Sequence, residues 1–176
     1  MQNTPSVADA HALRITDMAF LFQLAVEFDQ DHEAALRLER QFDGGSLTLG
    51  DGKLFRLKTD ELCQDERGRW WLSIVLEILE NGGGFLRFTD DPALLAEAGK
   101  KLYEMLTRAG GYRFAKVGFE VLQFNDVESF PRLIMNPGMP GLVVSASLFQ
   151  TLGQPKGFVK FSDGYFWLPS NYRYGS

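Results

Sequence analysis

GFVKFSDGYFWLP, residues 157–169, reads as a β-hairpin. Two apolar-rich arms, Phe158–Phe161 and Tyr165–Leu168, flank Ser162–Asp163–Gly164. Gly supplies the positive φ that a tight turn requires, so Asp-Gly between such arms is a strong hairpin signal. On the second arm Tyr165 and Trp167 share one face, with Phe166 and Leu168 on the other. On the first arm Phe158 and Lys160 share a face, opposite Val159 and Phe161. Tyr172 and Tyr174 follow within a few residues. One face of this hairpin can join a core while the other shows Tyr and Trp to a partner. These residues anchor interfaces because they bury much area with few rotors and keep a polar tip. Tyr165, Trp167, Tyr172 and Tyr174 are therefore the candidate partner-binding residues. The competing expectation is that both faces are covered and that Tyr172 and Tyr174 close the core's edge.

The same punctuation recurs upstream. Leu47–Leu49 and Leu54–Leu57 flank Gly50–Asp51–Gly52, a second hairpin signal. Trp70–Leu79 is a long apolar run rich in aromatic and β-branched residues, which favours a strand. Asn81–Gly82–Gly83–Gly84 turns the chain into Phe85–Phe88, and Tyr112–Phe124 and Leu142–Val144 read as further strands. Phe20, Phe22, Leu24, Val26 and Phe28 alternate with Leu21, Gln23, Ala25 and Glu27. That period of two predicts a strand. Its competitor is a helix capped by Thr16 that uses Met18, Leu21, Phe22, Ala25 and Phe28.

Helices carry different marks. Asp31 caps His32–Phe42, which puts Ala35, Leu38 and Phe42 on one face and stops at Asp43–Gly44–Gly45. Asp91 and Pro92 open Pro92–Ala109, whose apolar stripe is Leu95, Ala98, Leu102, Met105 and Ala109. Glu97/Lys101 and Glu104/Arg108 are favourable i,i+4 pairs, and Gly110–Gly111 supplies a stop. Asp126 caps a short helix over Val127–Met135, and a rigid loop follows from Asn136 to Gly141. Ser145 or Ser147 caps a helical turn ending at Gly153. The sum is one α+β domain over residues 13–176, preceded by a polar, mobile lead at residues 1–12. Its sheet is mostly antiparallel and meander-like, with helices packed on one face or one end.

Composition bounds the rest. A chain of 176 residues with 45% apolar content suits one domain, and 15 Phe suit a Phe-packed core. Cys63 is alone, so no internal disulfide can form, and a reducing cytoplasm is the simplest compartment. Residues 1–10 hold no Lys or Arg, and Met18–Val26 is too short to span a bilayer, so neither a secretion signal nor membrane insertion is expected. Net charge is −5 and lopsided: residues 1–66 hold 13 acidic and 6 basic residues, and residues 67–176 hold 10 and 12. The acidic first third argues against nucleic acid. It suits a basic protein partner, or a solvated face.

Catalytic constellations are sparse. His11 sits in the lead, which leaves His32, beside Asp29 and Asp31, as the one neutral-range titrating group in a polar cluster. Cys63 lies among Glu61, Asp65 and Glu66, which oppose thiolate formation. Asp29, Asp31 and Glu33 open like a calcium loop, but Ala34 and Arg40 stand where Gly and Glu are needed. Gly82–Gly83–Gly84 leads into Phe85–Phe88 without a helix or a Gly-Lys-Ser/Thr run, so it reads as a turn. No metal, cofactor or catalytic residue is expected. The leading expectation is a small acidic cytoplasmic protein-binding module, in its specific form an inhibitor or immunity-type protein that neutralises a toxin enzyme. The alternatives are a small-molecule-binding domain or enzyme with an apolar pocket, and a structural subunit that self-associates through an exposed strand.

Overall fold

A computed structural model of the protein describes residues 21–50, 52–79, 83–87, 90–119, 121 and 140–169. The expected lead at residues 1–12, the helix over Val127–Met135, and Tyr172 and Tyr174 lie outside the described residues. Among those described, nine strands form one antiparallel sheet, consistent with an α+β fold.

The alternating segment near residue 22 is a strand, β1 (Phe22–Glu27). Helix α1 (His32–Phe42) follows, and Asp31 caps it by accepting from the Ala34 amide at 2.9 Å. The chain then lays down β2 (Ser46–Leu49), β3 (Lys53–Thr59), β4 (Cys63–Gln64) and β5 (Trp70–Ile78). Helix α2 (Pro92–Leu106) leads to β6 (Phe114–Phe119) and β7 (Val143–Ser145). The short α3 (Ala146–Thr151), capped by Ser145, and the strands β8 (Val159–Ser162) and β9 (Tyr165–Trp167) complete the order. The sheet runs β2-β3-β5-β1-β6-β7-β9-β8, with β4 paired to the start of β5.

Phe85–Arg87 forms isolated bridges and no strand of its own. Leu86 donates its amide to Leu76 O at 3.0 Å and accepts from the Phe22 amide at 2.9 Å. Pairing between β1 and β5 ends at Gln23 opposite Val75, so Leu86 inserts just where the two strands part. Single bridges Glu77–Phe85 and Leu21–Arg87 hold it there. The segment's polar backbone is used by two strands at one point each, which leaves no ladder of its own.

Alternation sorts side chains onto two faces. Phe22, Leu24, Val26, Leu57, Leu72, Ile74, Leu76, Ala115 and Val117 face α1 and α2, which add Leu38, Phe42, Leu95, Ala98, Leu102 and Leu106 to one core. Gly99 lets α2 approach closely: a Cβ there would meet Phe22 Cζ at 3.4 Å and Val117 Cγ1 at 3.7 Å. The other face carries a smaller cluster, in which Trp71, Phe114 and Val144 pack under Leu148 and Phe149 of α3. There Phe149 stacks on Phe166 at 4.3 Å, and Trp71 meets Phe114 edge-on at 5.3 Å. Gln23 and Ser73 on that face are buried and satisfy each other, Ser73 Oγ donating at 2.7 Å.

α2 ends earlier than its glycines suggest. Thr107 caps it, its hydroxyl donating to Glu104 O at 2.7 Å, and the chain tightens into i→i+3 bonds at Arg108 and Ala109. Its exposed charges also pair differently from the expected i,i+4 set. Glu97 accepts from the Gly50 amide at 2.8 Å, and Glu104 lies 3.9 Å from both Lys100 and Lys101. Among the described residues, no helix is long and apolar enough to cross a membrane.

Candidate functional site

β8 and β9 pair antiparallel around Asp163 and Gly164, the glycine at φ +79°, with a register shift between Lys160 and Ser162. Tyr165 and Trp167 do share a face, and that face is the inner one. Tyr165 is buried: its ring stacks on Tyr112 at 4.0 Å and its hydroxyl donates to Tyr112 O at 3.1 Å. It therefore serves the core. Trp167, two residues further along, is only half-buried.

The reason is geometric. Near its C-terminal end α2 and the β8–β9 pair leave a groove of about 420 Å³ between them. Ala96, Lys100, Tyr103, Glu104 and Thr107 form the helical bank, and their spacing makes one stripe beside the core stripe. Lys160, Phe161 and Trp167 form the strand bank. Three rings make the floor. Tyr103 meets Trp167 edge-on at 5.7 Å and Phe161 at 6.1 Å, and Phe161 lies 5.6 Å from Trp167. Edge-to-face contacts of this kind are favourable and directional, so the rings brace one another.

Tyr103 fixes the floor to the sheet. Its hydroxyl donates to Gly141 O at 2.6 Å and accepts from the Val117 amide at 3.1 Å. β7 pairs with β6 only at Phe114 and Ala115, so the hydroxyl continues that edge where the strand has ended. The rim is charged. Lys160 donates to Asp163 at 2.8 Å across the hairpin, which holds the Asp163 carboxyl below its ordinary range. Among the described residues, the groove is lined by an aromatic floor, the ammonium groups of Lys100 and Lys160 and the carboxylate of Glu104.

The other candidates are dispersed. His32 stacks on Trp70 at 4.1 Å, Asp31 is occupied as a helix cap, and Asp29 adopts φ +54° with its amide bound to Glu27 Oε1 at 2.9 Å. These three residues share one turn. No group of three metal-ligating side chains occurs among the described residues. The Cys63 thiol is pushed up by partial burial and then by Asp60 and Asp65.

One group escaped the sequence altogether. Glu27 is fully buried in β1, in register with Trp71 on one side and Phe114 on the other. Arg113 Nη1 lies 3.6 Å from its Oε1, and its Oε2 has no hydrogen-bond partner. Burial raises its pKa, against the pull of Arg113. Nearby Asp65 shows the opposite outcome: burial pushes its carboxyl up, but the Arg69 guanidinium, backbone amides and the Trp71 indole outweigh it and hold it at about 2. Comparisons of the chain with protein families, with curated proteins and with solved structures find no match, so the groove is interpreted from its own chemistry.

Proposed function

We propose that the protein is a non-enzymatic recognition module, and that the groove between α2 and β8–β9 receives an apolar side chain of a partner protein. The observation that carries this is the three-ring floor of Tyr103, Phe161 and Trp167, left open between α2 and the β8–β9 pair. Its rings are already braced, so little ordering entropy is lost when a partner docks. An inhibitor or immunity-type role is one form of this proposal. It draws on the acidic balance of residues 1–66, not on the groove. The groove's volume of about 420 Å³ also falls within the range of small-molecule sites and supports a second reading, a small-molecule-binding domain. Self-association through β8 is disfavoured, because Lys160 and the register shift there both blunt an edge strand.

Trp167→Ala tests the proposal. As a central anchor, its loss should weaken a partner by at least about 2 kcal/mol. Being half-buried, it should cost the fold less than the roughly 3–5 kcal/mol of a fully buried Trp. Paired affinity purification with wild type and Trp167→Ala, beside thermal melts of both, measures the two effects. A partner retained equally by two folded proteins would remove the groove from recognition. Wild type that binds only a low-mass compound, again lost in Trp167→Ala, would favour the small-molecule reading.

A further inference from the structure

The charge around the groove departs from that of the chain. The protein carries −5 overall. Among the residues that line the groove, Lys100 and Lys160 stand against Glu104 alone. Lys100 and Lys160 line the groove itself, one on each bank, and their side chains are 76% and 70% exposed. Each has one carboxylate neighbour, Glu104 at 3.9 Å and Asp163 at 2.8 Å. Exposed pairs of this kind are weak and exchange easily for another carboxylate. An ammonium group on a long stem can follow a ligand's carboxylate while its methylenes stay against the rings.

We infer that the groove selects a partner segment in which a large apolar side chain is flanked by carboxylates, the apolar group resting on Tyr103, Phe161 and Trp167 and the carboxylates meeting Lys100 and Lys160. This rests on the recognition role proposed above and gives it a chemical class. The groove lies at the edge of the sheet opposite β2 and β3. Opposite charge on the banks raises the encounter rate and rejects like-charged segments, whereas the aromatic floor supplies contact area.

The test uses the whole chain and a random linear-peptide library displayed on phage. It is panned on wild type, Trp167→Ala and the double variant Lys100→Glu/Lys160→Glu, each shown folded by its melt. Wild type should enrich peptides that place Trp, Phe or Leu beside Asp or Glu, and Trp167→Ala should not. A synthetic peptide from that set should shift the Trp167 indole resonance. It should bind the double variant at least about tenfold more weakly, and it should weaken with added salt. Should the double variant fail to fold, Lys160→Ala replaces it, with a smaller loss expected in the same direction. Trp167-dependent peptides flanked by Lys or Arg, or by neutral residues, would overturn the acidic class while leaving recognition by the groove standing. Enrichment of no Trp167-dependent peptide would overturn both.

Discussion

The two edges of the sheet are built alike and finish differently. At the β2–β3 edge, Leu49, Phe55 and Leu57 turn inward and are sealed to 1% exposure or less, with Leu47 half-buried beside them. At the β9–β8 edge the inward residues are Tyr165, which is buried, Trp167 and Phe161, which are half-buried, and Val159, which stands 48% exposed. Both edges alternate apolar and polar residues, and both face a helix. The difference is cover: α1 contacts β3 and β5, while α2 stops at Leu106 and leaves the last pair of strands partly bare. An incompletely covered core is where aromatic surface becomes accessible, and the groove proposed for recognition lies at that edge.

The largest expected effect breaks this comparison directly. Leu57→Ala at the sealed edge should cost about 2–5 kcal/mol, since the side chain is fully buried. Val159→Ala at the open edge should stay within about 0.5 kcal/mol. Urea titrations of the two variants compare them, and similar losses would mean that the β8 edge is as closed as the other. A middle effect belongs to Tyr103→Phe. It strips the Gly141 carbonyl and the Val117 amide of a buried partner at once, at about 1–3 kcal/mol, while keeping the ring. A variant as stable as wild type would show that the hydroxyl does not brace the floor.

The smallest effect sharpens the charge contrast. Glu27 has a raised pKa in the folded chain, so the fold binds its proton more tightly than the unfolded chain does. Its contribution is therefore fully present below the ordinary carboxylate range and is lost as pH rises through the folded value. Glu27→Gln mimics the protonated form. Its melting temperature relative to wild type should climb as pH rises from about 4 to 8, because only wild type must then bury a charge. A difference that stays flat or falls with pH would mean that Arg113 neutralises the carboxylate fully.

How much of this the sequence disclosed depended on range. α1 could be bounded from Asp31 and the Asp43–Gly44–Gly45 stop because cap and stop act within four residues. β1 was recognisable by its period of two, although both its faces are buried. The role of Phe85–Arg87 was not legible because it is set by Leu76 and Phe22, ten and 64 residues away from Leu86. The groove was half visible. Trp167 stood out by composition, but nothing local separates it from Tyr165, whose burial depends on Tyr112. Tyr103 adjoined the α2 stripe without belonging to it. A Tyr beside an apolar stripe was the available signal, and its two bonding partners lie 14 and 38 residues away.

The Tyr103 hydroxyl has one more consequence. It joins a helix, a strand and the chain entering β7 at a single oxygen, and the ring beneath it is the groove's floor. Local opening at that point would have to break both hydrogen bonds together, and an occupant of the groove would suppress the opening without touching the sheet. Amide exchange at Val117 should thus respond to events on the molecule's outside, which makes one backbone proton a reporter of occupancy.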